Sequence, residues 1–97
     1  MTNEMIKKLC GDILIYIDKG AEYLPASSVL NVRAIRETIL LIYEEPEKAL
    51  EWSESLFKMI DGIYEMSKYY EIDGENNFAT ARGFASRLYD ELREMRS

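Results

Sequence analysis

The sequence predicts an all-α protein, an antiparallel up-down-up-down four-helix bundle. Three observations predict it. Apolar residues recur at three- and four-residue steps along four separate stretches. Pro25, Pro46 and the Asp73-Gly74 step divide those stretches. Gly and Pro are scarce, five and two in 97 residues, which leaves too few turns for a many-stranded sheet. Four amphipathic helices on short connections bury their seams best as an alternating bundle. The whole chain, 1–97, reads as a single domain, and a domain this small has little left over for a deep cleft.

The first helix is expected over 3–23. Ile6, Leu9, Cys10, Ile13, Ile17 and Leu24 recur at helical spacing. The run Ile13-Leu14-Ile15-Tyr16-Ile17 has strand character through its β-branched residues, but the periodic pattern is far longer than a strand. Gly11 and Gly20 each weaken the helix by about 1 kcal/mol relative to Ala. Gly20 is also a candidate terminus, leaving Ala21 to Leu24 as an irregular last turn.

The second helix is expected over 28–44, with Ser27 or Ser28 capping its free amides. Val32, Ile35, Ile39 and Ile42 form its seam, flanked by Leu30, Leu40 and Tyr43. It must stop by Glu45, because a residue before proline avoids the α region.

The third helix is expected over 46–70. Pro46 suits the first helical position, and Glu44, Glu45 and Glu47 sit at the positive end of its dipole. Ala49, Ser53, Leu56, Ile60, Ile63, Ser67 and Tyr70 alternate in steps of four and three, as in coiled-coil-like packing. Ser53, Gly62 and Ser67 are small enough to admit a close neighbour. The fourth helix is expected over 77–95, capped by Asn76 or Asn77. Phe78, Ala81, Ala85, Leu88, Leu92 and Met95 form its seam, with Phe84 and Tyr89 widening it. Arg93 and Arg96 complement the dipole in its last turn.

The residue inventory points away from catalysis. The chain has no histidine, which removes the commonest general base, the Ser-His and Cys-His pairs and the histidine metal ligands. One cysteine builds neither a zinc site nor a disulfide. Cys10 shares the apolar stripe of Ile6 and Ile13, so it reads as a small buried hydrophobe. Asp73-Gly74-Glu75 is no calcium loop, since its first ligand would fall on Tyr69. No cofactor is expected, and the chain reads as a non-enzyme.

A net charge of −6 disfavours nucleic-acid phosphates and anionic lipid. The longest apolar run, Ile13 to Ile17, is too short to insert in a bilayer. The N-terminus has no signal-peptide core. These features give the expectation of a cytoplasmic protein, monomeric or weakly dimeric.

Three surface features are candidates for recognition. Glu44, Glu45, Glu47, Glu51 and Glu54 surround Lys48, a local charge of −4. Two readings stand for this cluster: solubility with dipole complementation, or a landing surface for a basic protein. Trp52 follows it, one position off the seam, where it either packs at the bundle edge or anchors a partner. The loop from Tyr69 to Asn77 offers Tyr69, Tyr70, Asp73 and Glu75, which together with Arg93 and Arg96 form a candidate partner-binding set.

Two stretches carry a family resemblance: Ala34-Ile35-Arg36-Glu37-Thr38-Ile39-Leu40-Leu41-Ile42-Tyr43, and Phe78-Ala79-Thr80-Ala81-Arg82-Gly83-Phe84-Ala85-Ser86-Arg87-Leu88-Tyr89. In these and in its four-helix layout the chain resembles the pediocin-like (enterocin A-type) bacteriocin immunity proteins. The resemblance implies a cytosolic bundle that protects a producer cell from its own pore-forming bacteriocin. It implies action from the cytosolic side on the bacteriocin's complex with a sugar phosphotransferase membrane receptor. Specificity in that family is attributed to the C-terminal half, which here corresponds to Tyr69 through Ser97. Many members carry an extended C-terminal tail, whereas here two residues follow Met95. A second expectation from the residues is a phage- or plasmid-type accessory inhibitor or adaptor that grips a basic host protein through the acidic helical face.

Overall fold

The computed structural model describes residues 2–96, and of Arg96 the backbone alone. The described residues are all-α. Four helices, α1 (Asn3–Ala21), α2 (Val29–Glu44), α3 (Ala49–Tyr69) and α4 (Glu75–Arg96), are joined by short connections, two of which hold 3-10 turns at Ala26–Ser28 and Pro46–Lys48. Each helix packs on its two neighbours in the cycle α1, α2, α3, α4. Neither α1 with α3 nor α2 with α4 comes close across the centre among the described residues. The seams of α3 with α4 and of α1 with α4 are the densest, and α2 is held more loosely. No helix of the described residues is long and apolar enough to cross a membrane.

The expected seams form the core. Ile6, Leu9, Cys10, Ile13 and Ile17 of α1 meet Val32, Ile35, Ile39 and Ile42 of α2. Ala49, Leu56, Ile60 and Ile63 of α3 and Phe78, Ala81, Ala85, Leu88 and Leu92 of α4 complete it. Two seam ends depart from the pattern. Tyr70 is 68% exposed and Met95 55% exposed. Tyr70 is the C-cap of α3 and Met95 lies at the far end of α4, so neither has a facing helix to cover it. Leu24, past the end of α1, is half-buried against the core.

The helix ends correct several expectations. α1 is capped by Thr2, whose Oγ1 accepts a hydrogen bond from the Met5 amide at 3.2 Å. It runs one residue past Gly20 and closes through the Tyr23 amide donating to the Gly20 carbonyl and that of Leu24 to Ala21. Ser28 occupies the N-cap of α2 without a side-chain cap. The preceding 3-10 turn does that work, because the Val29 amide donates to the Ala26 carbonyl. The α-helical part of the third segment starts at Ala49, since Pro46–Lys48 winds as 3-10. α4 starts at Glu75, so Asn76 and Asn77 fall inside its first turn and do not cap it. The Asn77 amide donates instead to the Gly74 carbonyl at 3.0 Å.

Gly20 matters through space. A Cβ there would lie 2.6–2.9 Å from the Phe78 ring, and one on Gly74 would lie 2.8 Å from the Gly20 carbonyl oxygen. The start of α4 thus seats directly on the end of α1. Gly62, expected to admit a neighbour, is exposed, and a Cβ there would meet nothing within 4 Å. Ser53 and Ser67 are the small residues that face the packed interior. The Ser53 hydroxyl donates to the Leu50 carbonyl at 2.9 Å, while the Ser67 hydroxyl has no partner.

Candidate partner-binding site

The loop after α3 is built on a Schellman turn. The Ile72 amide donates to the Ser67 carbonyl at 2.8 Å and the Glu71 amide to the Lys68 carbonyl at 3.3 Å. This geometry requires a left-handed residue at Glu71, whose φ is 53°. Glycine is the usual occupant, because a Cβ is strained there. The turn throws Tyr69 and Tyr70 outward. Tyr69 is 80% exposed, and the two rings meet edge-on with centroids 4.9 Å apart.

The loop that follows α1 comes to the same end. Tyr23, Leu24, Pro25 and Ser27 line an open groove of about 630 Å³ together with Met66, Tyr70 and Ile72. The groove is mostly apolar, and its lining residues are flanked in the chain by exposed Glu22, Glu71 and Asp73. Exposed Lys68 is the nearby cation in sequence. Tyrosine suits such a surface because its ring adds apolar contact at little entropic cost while its hydroxyl stays wet.

The candidate set divides between two ends of the molecule. Tyr69, Tyr70, Asp73 and Glu75 share the groove end, with Glu75 half-buried at the start of α4. Arg93 lies eighteen residues further along α4, about 27 Å away at the helical rise. Its guanidinium rests over the Tyr89 ring at 5.9 Å. Trp52, near the start of α3, is half-buried and packs against the core. Glu47 is exposed near it, as are Glu44, Glu51 and Glu54, and Glu54 pairs with Lys58 at 3.3 Å. The side chain of Arg96 lies outside the described residues.

Sequence reasoning missed Tyr23, Leu24 and Pro25 as groove residues. They lie more than forty positions from Tyr70, so no local pattern links them. It also missed a clamp between α3 and α4. Arg82 donates to Asp61 at 2.9 Å, lies 3.8 Å from Glu65 and covers the Tyr64 ring at 4.1 Å. The hydrogen bond to Asp61 holds the guanidinium firmly in its charged form. Residues 61, 64 and 65 fall on one helix face at three- and four-residue spacing, a signal that was available.

Cys10 is fully buried, and burial pushes its thiol up to about 11. A thiol in that state is a poor nucleophile at neutral pH. Among the described residues, no three Cys, Asp or Glu side chains are grouped to hold a metal ion. Set against protein-family models, curated proteins and solved structures, the chain gives no significant match.

Proposed function

We propose that this protein is a non-catalytic binding protein of the bacteriocin-immunity type, which engages a polypeptide partner through the tyrosine groove. The observation that supports it is the exposure of Tyr23 and Tyr70 on one apolar groove, with exposed Tyr69 edge-on against Tyr70. None of these rings belongs to the buried core. Exposed aromatic residues grouped over a concave apolar surface are the usual anchors of protein recognition. The acidic neighbours Glu22, Glu71 and Asp73 favour a cationic partner. In the immunity reading that partner is the cognate pore-forming bacteriocin on its membrane receptor, met from the cytoplasm.

The helices alternate in direction in this reading. Supporting it, the end of α1 and the start of α4 touch at Gly20 and Gly74, beside the end of α3. Asn3, Pro46, Leu92 and Met95 line a second groove, which joins the start of α1, the α2–α3 connection and the end of α4. An up-down-up-down course satisfies both.

The test is survival. Expression in a sensitive strain raises tolerance to a bacteriocin encoded beside this protein, and the Tyr69→Ala/Tyr70→Ala variant loses that protection while its circular dichroism is unchanged. Absence of protection by the unaltered protein would refute the immunity role. Protection retained by the double variant would refute the groove.

A second reading is favoured by the acidic face, where Glu44, Glu47 and Glu51 are exposed and only Glu54 of the cluster has an ion pair among the described residues. Here the chain is an accessory inhibitor of a basic host protein. Charge reversal at Glu47, Glu51 and Glu54 then abolishes capture of a basic protein that binds the unaltered chain, and the tyrosine variant does not.

A further inference from the structure

The outward side of α2 is rich in exposed aliphatic residues. Val29, Leu30, Leu40 and Leu41 are all exposed, Leu30 by 72%. They lie opposite the buried Val32, Ile35, Ile39 and Ile42. Between them on the same outward side stand Arg33 and Glu37, both exposed.

These six positions mirror one another about Ile35. Val29 corresponds to Leu41, Leu30 to Leu40 and Arg33 to Glu37. In two antiparallel helices related by a two-fold axis, a residue a given number of steps before the axis meets one the same number of steps after it. An axis behind Ile35 therefore sets Val29 and Leu30 of one copy against Leu41 and Leu40 of the other, at both ends. It also sets Arg33 against Glu37 twice.

The two charges are free to make that contact. Arg33 and Glu37 have no ion pair, hydrogen bond or ring contact among the described residues. Arg36, Arg82, Arg87 and Arg93, by contrast, are all engaged. Arg33 and Glu37 stand one helical turn apart, but cation-before-anion is the weaker order for a pair within one helix. The pairing across a two-fold has no such handicap.

We propose that the occupant of this face is a second copy of the chain, bound through antiparallel α2–α2 packing centred on Ile35. The surface shares no residue with the tyrosine groove, so both can be engaged together. A contact through one helix of this length lies at the small end of specific interfaces, where weak, concentration-dependent association is expected.

Sedimentation equilibrium from micromolar to near-millimolar protein tests this. The unaltered chain dimerises with concentration. Arg33→Glu alone and Glu37→Arg alone each place two like-charged pairs in the interface and weaken the dimer by at least about tenfold. The exchange Arg33→Glu/Glu37→Arg restores it to within about threefold, which distinguishes register from misfolding. A wild type that stays monomeric at near-millimolar concentration overturns the proposal and leaves the face to a different protein. A charge exchange no better than the single variants overturns it as well.

Discussion

The joint between α1 and α4 and the outward side of α2 are built on opposite terms. At the joint, Gly20 and Gly74 bring backbone against backbone and the Phe78 ring fills the remaining space. Phe78 is fully buried, so its ring has no solvent to move into. On α2 the large aliphatic residues Leu30, Leu40 and Leu41 stand in solvent. The difference is one of closeness of packing: the seam between α1 and α4 leaves no room between its own residues, whereas α2 carries more apolar surface than its own core can cover.

The comparison breaks most readily at Phe78. Phe78→Ala removes a ring that no neighbour can replace, and is expected to cost about 3–5 kcal/mol. Chemical denaturation reads this directly, and a loss below about 1 kcal/mol would show that the joint is slack. Glycine substitutions sharpen the contrast through their sign. Gly20→Ala drives a methyl into the Phe78 ring, and overpacking of about 1–3 kcal/mol outweighs a helix-propensity gain of up to about 1 kcal/mol. The net effect is a destabilisation of about 1–2 kcal/mol. Gly62→Ala meets open space and is expected to stabilise by about 0.5–1 kcal/mol. Equal signs in thermal melts would contradict the packing described.

A smaller effect belongs to the left-handed Glu71. Glu71→Gly relieves the Cβ strain at φ 53° and is expected to stabilise by about 1 kcal/mol, read as a higher melting temperature. The smallest effect lies on the open side. Leu30→Ser leaves monomer stability within about 0.5 kcal/mol when measured in dilute protein. A larger loss would mean that Leu30 is packed within its own chain.

The seams were legible in the sequence because burial imprints a helical period, and Ile35, Ile39 and Ile42 or Ala81, Ala85 and Leu88 carry it without interruption. The ends were less legible because their partners are distant in sequence. Gly20 resembles a helix terminator until Phe78 is placed beside it. Asn76 and Asn77 have the chemistry of caps, yet the carbonyls of Ile72 and Gly74 take the amides of Glu75 and Asn77. Glu71 gave no warning of a left-handed turn, since glycine is the residue that advertises one. The site was half visible. Tyr69 and Tyr70 stood out as a pair, but the groove needs Tyr23, Leu24 and Pro25 from the other loop, and only folding brings the two together.

The contact of Gly20 with Gly74 also sets an order of events. It joins positions about fifty residues apart, so forming it closes a long loop, whereas α3 and α4 meet through a short connection. Local pairs close first, and a long-range seam waits for them. On a growing chain, the isoleucine stripe of α1 emerges early and finds its full cover only when α4 has been made. Between those moments Ile6, Ile13 and Ile17 depend on α2 alone, the most loosely held helix. The nascent chain is therefore most prone to aggregate in that interval, when three helices exist and the fourth does not.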